Sequence, residues 1–232
     1  MFVFCELVQN RYLITNFIIN GRILMKYSVL LILTFLVFVS CTETGVNNGD
    51  NAKEIWPLKI GNSWTYNTYR YFSSDMDSLS FLITQTLRVS KKVTIMDEDW
   101  YFFESEGKMV KVAMTNRKDG LWTIDFKDST KINVDSAKLR YKYPTKLNET
   151  YPSNSPAAIT RSLNTEVVTP AGKFSCIWYS NYNHIGTHEN EGVFCAPGIG
   201  DIKQEWIKNI DNNVNPPDTS WHRTILVSYV IK

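Results

Sequence analysis

The sequence predicts a mainly β protein, built as an antiparallel sandwich or a curved half-barrel and forming a single domain. Three observations lead to this prediction. Apolar and polar residues alternate over most of the chain after residue 54. The alternating runs are short, and turn residues separate them at intervals of roughly 8 to 12 residues. Aromatic residues make up 13% of the chain, which argues against low-complexity disorder and collagen.

The clearest predicted strand runs from Leu79 to Val89. One face of it carries Leu79, Phe81, Ile83, Leu87 and Val89, with polar residues on the other, so we expect a half-buried strand.

Several later segments repeat this alternation. Strands are predicted over residues 160–168, 173–182, 191–195 and 221–231, with turns at 97–99, 107 and 119–120. Ile202, Trp206 and Ile210 are spaced by four residues, which also fits one face of a helix, but we assign them to a strand.

One segment occurs twice in the chain. Trp56 to Trp64 reads WPLKIGNSW, and Tyr143 to Tyr151, 87 residues later, reads YPTKLNETY. Gly61 and Asn148 occupy the same place in the two copies, and both residue types tolerate a positive φ. Both copies are therefore predicted to form the same turn, which leads into a strand at the second aromatic residue.

The amino-terminal region has the pattern of a lipoprotein signal peptide. Residues 29–39 hold ten apolar residues and Thr34, Lys26 precedes them, and Ser40-Cys41 follows. Such a run is only about half the length needed to cross a bilayer as a helix. We predict a signal peptide over residues 1–40, with Met25 as the true start.

Cys41 is the predicted site of lipid attachment. Residues 41–53 are rich in Asn, Gly and Thr and are predicted to be a lipidated tether, followed by the β domain at 54–232. Without residues 1–40 the chain has as many basic as acidic residues, so nothing in its charge predicts nucleic-acid binding.

Cys176 and Cys195 are the two cysteines that remain, and export would place them in an oxidising compartment. If the two strands that carry them form a hairpin with Cys176 opposite Cys195, Trp178 faces Val193 and the apolar residues share one face. We therefore favour a cross-strand disulfide. Two buried free thiols are the alternative.

Residues that could carry catalysis are sparse. His184 and His188 with Glu189 invite a metal site, but they lie in a predicted hairpin tip, where helical spacing no longer aligns them. The acidic run 97–99 is interpreted as a solvated turn. The sequence has no nucleophile elbow, zinc-protease helix, phosphate loop or calcium loop. We predict no catalytic residue, no metal and no cofactor.

The seven tryptophans are expected in the core, with a minority in an open groove for a glycan or an acyl chain.

Three motifs resemble a broad group of uncharacterised bacterial envelope lipoproteins. They are PLKIGNSW at 57–64, TPAGKFSC at 169–176 and APGIGDIK at 196–203. The resemblance implies a turn-and-strand fold and an envelope location, and no catalytic residue. More distantly, the layout is similar to the half-barrels that carry lipoproteins.

These observations predict a non-enzymatic binding or interaction module, anchored by lipid in the outer membrane on its periplasmic or surface face. A protein or glycan partner is not specified by the sequence. The alternatives are a carrier of an acyl chain or another apolar ligand, and an envelope hydrolase that uses His184 and His188.

Overall fold

The structure is a computed structural model, which describes residues 53–126, 132–153, 157–181, 191–211 and 218–232. Twelve strands make up most of this part of the chain. They are β1 (Ser63–Phe72), β2 (Asp75–Ile95), β3 (Glu98–Ser105), β4 (Lys108–Arg117), β5 (Gly120–Asp125), β6 (Lys138–Lys142), β7 (Thr150–Tyr151), β8 (Ala158–Thr169), β9 (Gly172–Asn181), β10 (Gly192–Ala196), β11 (Gly200–Asp211) and β12 (Asp218–Val230). A 3₁₀ turn at Val134–Ser136 is the one helical segment in these ranges.

All twelve strands belong to one antiparallel sheet, in the order β6-β5-β4-β3-β2-β1-β12-β11-β10-β9-β8-β7. Consecutive strands are therefore paired, except that β6 and β7 form the two ends of the sheet and β1 pairs with β12. The sheet is curved, so that these two ends approach each other. Their proximity is shown by a hydrogen bond of 3.3 Å from the Tyr151 hydroxyl of β7 to the Arg140 carbonyl of β6. The predicted antiparallel, mainly β fold is confirmed, and the architecture is a nearly closed, curved sheet.

The repeated segment precedes the first strand of each half, β1–β6 and β7–β12. Gly61 has φ 90° and Asn148 has φ 60°, which confirms the positive φ expected of both. We call the two segments 59–62 and 146–149 the lead-in turns. In each, the amide of the fourth residue donates to the carbonyl of the first, at 3.0 and 3.1 Å.

The lead-in turns also dock in the same way. The Gly61 amide donates to the Val89 carbonyl, and the Val89 amide donates to the Asn62 carbonyl. In the second copy, Asn148 and Glu149 make the same two bonds with Thr160. Val89 and Thr160 lie in the second strand of their halves, β2 and β8, so the sequence repeat corresponds to a structural one.

Large side chains fill the interior of the sheet. Trp56, from the segment before β1, packs edge-on against Trp64 with ring centroids 5.3 Å apart, and its ring lies 6.2 Å from that of Phe103. A Cβ atom at Gly200 would lie 2.9 Å from the Trp56 indole, so glycine is needed at that position. A smaller cluster forms around Trp100, Phe102 and Phe126.

Most of the predicted strands and turns are confirmed. The segments predicted over 160–168, 173–182, 191–195 and 221–231 correspond to β8, β9, β10 and β12, and the segment with Ile202 and Trp206 is strand β11. The prediction of a half-buried face on β2 is wrong for its first half. Leu79, Phe81 and Ile83 are 42%, 56% and 48% exposed, because this part of β2 extends beyond the buried core, and every residue from Asp75 to Gln85 is exposed.

The structure differs from the predicted hairpin register by one residue. Cys195 lies opposite Ile177, and Trp178 lies opposite Phe194. Cys176 and Cys195 are both buried free thiols, so the predicted disulfide is absent from the structure. Residues 1–52, including the signal segment, Cys41 and nearly all of the predicted tether, lie outside the described residues.

Candidate functional site

A pocket of about 240 Å³ opens where the two ends of the sheet meet. Residues of β6, β7, β8, β9, β10 and β11 contribute to its lining, so it draws on both halves of the chain. We call it the seam pocket. Its lining includes Arg140, Tyr151, Tyr179, Glu205 and Trp206.

Three tyrosines form one wall of the seam pocket. Tyr141 and Tyr179 stack with ring centroids 5.2 Å apart, and Tyr151 meets Tyr179 edge-on at 6.2 Å. The Tyr179 hydroxyl donates to the Lys142 carbonyl at 2.7 Å, which fixes its ring across the gap between β9 and β6. Burial raises the pKa of Tyr141 and of Tyr179, so both phenols remain neutral hydrogen-bond donors.

Behind this wall lies Asp201, which is fully buried at the start of β11. Its carboxylate accepts hydrogen bonds from Arg140 at 3.4 Å, from the Tyr141 hydroxyl at 3.2 Å, from the Cys195 thiol at 3.1 Å and from the Gln204 amide. A buried carboxylate needs such donors to replace the water that it loses.

Arg140 connects Asp201 with the seam pocket. Its guanidinium lies 5.1 Å from the centroid of the Tyr141 ring and 6.0 Å from that of Trp56. Burial alone would lower the pKa of Arg140, but Tyr141 and Asp201 raise it above its usual value, so the side chain stays charged. Its buried Nε has no hydrogen-bond partner among the described residues.

A second buried acid, Glu205, has cationic partners of its own. Its carboxylate accepts from Arg223 and from the Tyr71 hydroxyl at 3.3 Å, and Lys203 Nζ lies 3.0 Å away. Burial, reinforced by the Glu205 charge, raises the pKa of Tyr71 to about 12. Asp201 and Glu205 are therefore both paired with cations, and a neutral polar ligand suits the seam pocket better than a strongly charged one.

The buried thiols are poor nucleophiles. Burial raises the pKa of Cys195, and Asp201 raises it further, so the reactive thiolate is disfavoured. Within the described ranges, no group of three or more His, Cys, Asp or Glu residues could hold a metal ion.

The residues singled out in the sequence have separate locations. Cys41, His184, His188 and Glu189 lie outside the described residues. His222 lies in β12 with its ring 6.0 Å from Trp206, and burial, followed by Lys208 and Arg70, lowers its pKa. In the acidic run, Asp99 forms an exposed ion pair with Lys92 at 2.7 Å.

The seven tryptophans differ in their burial. Trp56, Trp64, Trp100 and Trp221 are buried, and Trp122, Trp178 and Trp206 are half-buried. Trp206 lines the seam pocket.

Sequence reasoning did not identify Arg140, Tyr141, Asp201 or Glu205. The signal available in the sequence was an acidic residue inside a predicted strand. Asp and Glu are rarely fully buried unless they are paired, so such a residue indicates a buried ion pair. That signal names the acids but not their partners, because Arg140 reaches Asp201 only once the sheet has curved.

The chain is distantly similar in structure to two proteins whose structures have been solved. No protein family matches the chain, and no curated protein matches it. Among solved structures, the chain is similar to a Bacteroides fragilis protein described as exported and with a YmcC-like fold, with 15% identity, a TM-score of 0.41, and coverage of 76% of this chain and 98% of that one. A Parabacteroides distasonis protein described as a lipoprotein has 13% identity and a TM-score of 0.40, with coverage of 78% and 100%.

A search for membrane-spanning helices in the described part of the chain finds none that is long and apolar enough.

Proposed function

We propose that this protein is a non-enzymatic binding module, anchored by lipid at Cys41 in the cell envelope, and that the seam pocket is its ligand site. The observation that carries the proposal is the pocket itself, with a tyrosine wall and a half-buried, charged Arg140 whose buried Nε has no hydrogen-bond partner among the described residues. The outer membrane is the proposed location, because Thr42 follows Cys41 at the place where an Asp would suggest retention in the inner membrane.

A neutral saccharide is the ligand class that fits this lining best. Aromatic faces stack on the apolar faces of sugar rings, and Arg140 with Asn181 and Ser153 offers hydrogen-bond partners for hydroxyl groups. Because the buried acids already have cationic partners, a ligand with a net charge would gain little from them.

Anchoring is tested by growing the producing cells with labelled palmitate. We expect the label to follow the full chain into the membrane fraction, and the Cys41→Ala variant to lose both the label and the membrane association. Labelling that persists in Cys41→Ala would contradict the assigned attachment site.

Ligand binding is tested by titrating the full chain with neutral and uronic-acid oligosaccharides in a calorimeter. We expect a neutral oligosaccharide to bind, and Trp206→Ala to weaken binding about tenfold or more, which corresponds to about 1.4 kcal/mol. Trp122→Ala is the matched control, because Trp122 is also half-buried but lies in β5 and does not line the pocket. Equal loss in both variants, or no binding by any neutral sugar, would refute the saccharide site.

A second candidate function is a carrier of an amphiphile with an anionic head. A groove of about 450 Å³ has apolar walls that include Val167, Phe194 and Ile225, and it contains Lys203 and Arg223. Displacement of a fluorescent fatty acid by palmitate would support this function, and Ile225→Asp should abolish it. A filled interior argues against a deep acyl cavity of the half-barrel type.

A further inference from the structure

The two lead-in turns lie at the same end of the curved sheet. From β1 to β7 the sheet passes through six antiparallel pairings, β1–β12, β12–β11, β11–β10, β10–β9, β9–β8 and β8–β7. An even number of antiparallel steps leaves β1 and β7 running in the same direction, so both strands start at this end. The last residues of β12 lie there too, because Val230 pairs with Ser63, the first residue of β1.

The described chain also begins at this end. Lys53 and Glu54 line a cleft of about 220 Å³ together with Tyr143, the first residue of the second repeated segment. Lys53 follows Cys41 by 12 residues, and a chain of that length reaches at most about 40 Å when it is fully extended. A lipid attached at Cys41 therefore keeps this end of the sheet, and not the opposite end, next to the bilayer.

We call the two lead-in turns, Lys53, Lys118 and residues 230–232 the entry face. At the second position of the two turns, Ile60 and Leu147 are 53% and 56% exposed. Val230 and Ile231, beside the first turn, are exposed as well. The hydrogen bonds that hold the turns are made by backbone atoms, so they do not require an aliphatic side chain at this position. These aliphatic side chains are therefore free to contact a partner.

The entry face is also positively charged. Five of its lysines are exposed and form no ion pair with another described residue: Lys53, Lys59, Lys118, Lys146 and Lys232. Three acids beside them already accept hydrogen bonds from groups of the protein: Glu54, Asp119 and Glu149. Exposed lysines next to exposed aliphatic side chains are the combination that binds the surface of an anionic bilayer.

We propose that the entry face rests on the anionic headgroup surface of the bilayer. The choice of this partner rests on the proposed anchoring at Cys41, which holds this end of the sheet within reach of that surface. The lysine ammonium groups pair with headgroup phosphates, and Ile60 and Leu147 enter the apolar boundary below them. The contact is weak by itself, and the anchor strengthens it because it makes the contact intramolecular.

The charge contribution is tested by sedimenting the full Cys41→Ala chain with lipid vesicles, so that no lipid at position 41 contributes. We expect vesicles that contain phosphatidylglycerol to bind it about tenfold or more tightly than vesicles of phosphatidylcholine, with a smaller difference at high salt. Lys59→Glu combined with Lys146→Glu should lose most of this difference. Arg70→Glu combined with Lys208→Glu is the matched control and should keep it. Arg70 and Lys208 are exposed and lie toward the opposite end, in β1 and β11.

The apolar contribution is tested on the same vesicles. Ile60→Gln combined with Leu147→Gln should weaken binding about fivefold or more. Met76→Gln combined with Phe81→Gln is the matched control, since both residues are 56% exposed but lie in β2 toward the opposite end, and it should bind normally. All these variants should keep the circular dichroism spectrum of the unsubstituted chain, because the sites are exposed.

Equal binding to both kinds of vesicle, or equal loss in a variant and its matched control, would overturn the proposal. Self-association without vesicles that Ile60→Gln and Leu147→Gln abolish would make a second copy of the chain the partner, and would overturn it as well. Absence of palmitate label at Cys41 would refute the anchor alone, because the vesicle measurements are made without it.

Discussion

At the scale of single residues, burial controls the chemistry of the two cysteines. Burial raises the pKa of Cys176 to about 12 from its usual value of 9.0. The unfolded chain therefore loses the thiol proton near pH 9, while the folded chain keeps it to a much higher pH. The contribution of this thiol to the free energy of unfolding is fully present below pH 9 and is lost as pH rises toward 12. In that range the unfolded state binds fewer protons than the folded state.

We therefore expect the free energy of unfolding in urea to fall as pH rises from about 8.5 to about 10.5, with up to about 1.4 kcal/mol per pH unit from this one thiol. The Cys176→Ala variant should show a shallower fall, and comparing the two slopes separates Cys176 from the buried tyrosines. Identical slopes would contradict the assigned shift. Thiol labelling of the unfolded chain without reductant, mapped to Cys176 and Cys195, checks independently that the two are free.

The sequence was informative about residues whose requirement is local. Gly61 and Asn148 were recognised because a positive φ favours these residue types within a short segment. Asp201 was not recognised, because its partner Arg140 is 61 residues away and belongs to the opposite end of the sheet. The disulfide prediction failed for a related reason, since a change of one residue in register moves a side chain to the other face.

At the scale of elements, the lead-in turns give each half of the sheet the same start. The Gly61 and Asn148 amides both donate to a carbonyl in the second strand of their half, at 2.9 and 2.8 Å. The backbone conformation, and not the side chain, is what the two copies have in common. A β-branched residue at either position should therefore be strained, because left-handed backbone costs such residues about 1 to 2 kcal/mol.

We expect Gly61→Val and Asn148→Val each to lower the free energy of unfolding by about 1 to 2 kcal/mol in urea denaturation. Asn148→Gly is the matched control, and it should leave stability within about 0.5 kcal/mol of the original because glycine adopts this φ freely. If Asn148→Val were as stable as Asn148→Gly, the turn would not depend on its left-handed residue.

Strand positions were predictable, and strand burial was not. The alternation in Leu79 to Val89 identifies β2 correctly, but alternation does not say whether the strand extends beyond the core, where nothing packs on its apolar face. β6 was missed altogether, since its five residues alternate too briefly to be distinguished from a loop. Strand β6 carries Arg140 and Tyr141, so the seam pocket was not predictable without it.

At the scale of the whole molecule, the curved sheet depends on an interior that both halves share. The twelve strands follow chain order apart from the join between β1 and β12, so local hairpins could form independently. The contacts that bring the two ends together are side-chain contacts, such as Arg140 with Asp201 and Tyr141 with Tyr179. The segment before β1 strengthens this closure, because Asn116 of β4 donates to the Trp56 carbonyl at 2.8 Å and the Gly198 amide donates to the Glu54 carbonyl.

Trp56 is the side chain on which this closure is best tested. It is 2% exposed and contacts Trp64 of β1, Phe103 of β3 and Gly200 at the start of β11. Removing it leaves a cavity between the two halves, so Trp56→Ala should lower the free energy of unfolding by about 3 to 5 kcal/mol. Urea denaturation, followed by near-ultraviolet circular dichroism, measures this loss. Met96→Ala, at an exposed site, should change stability by less than about 0.5 kcal/mol. A Trp56→Ala variant as stable as Met96→Ala would mean that the interior is closed by the strands alone.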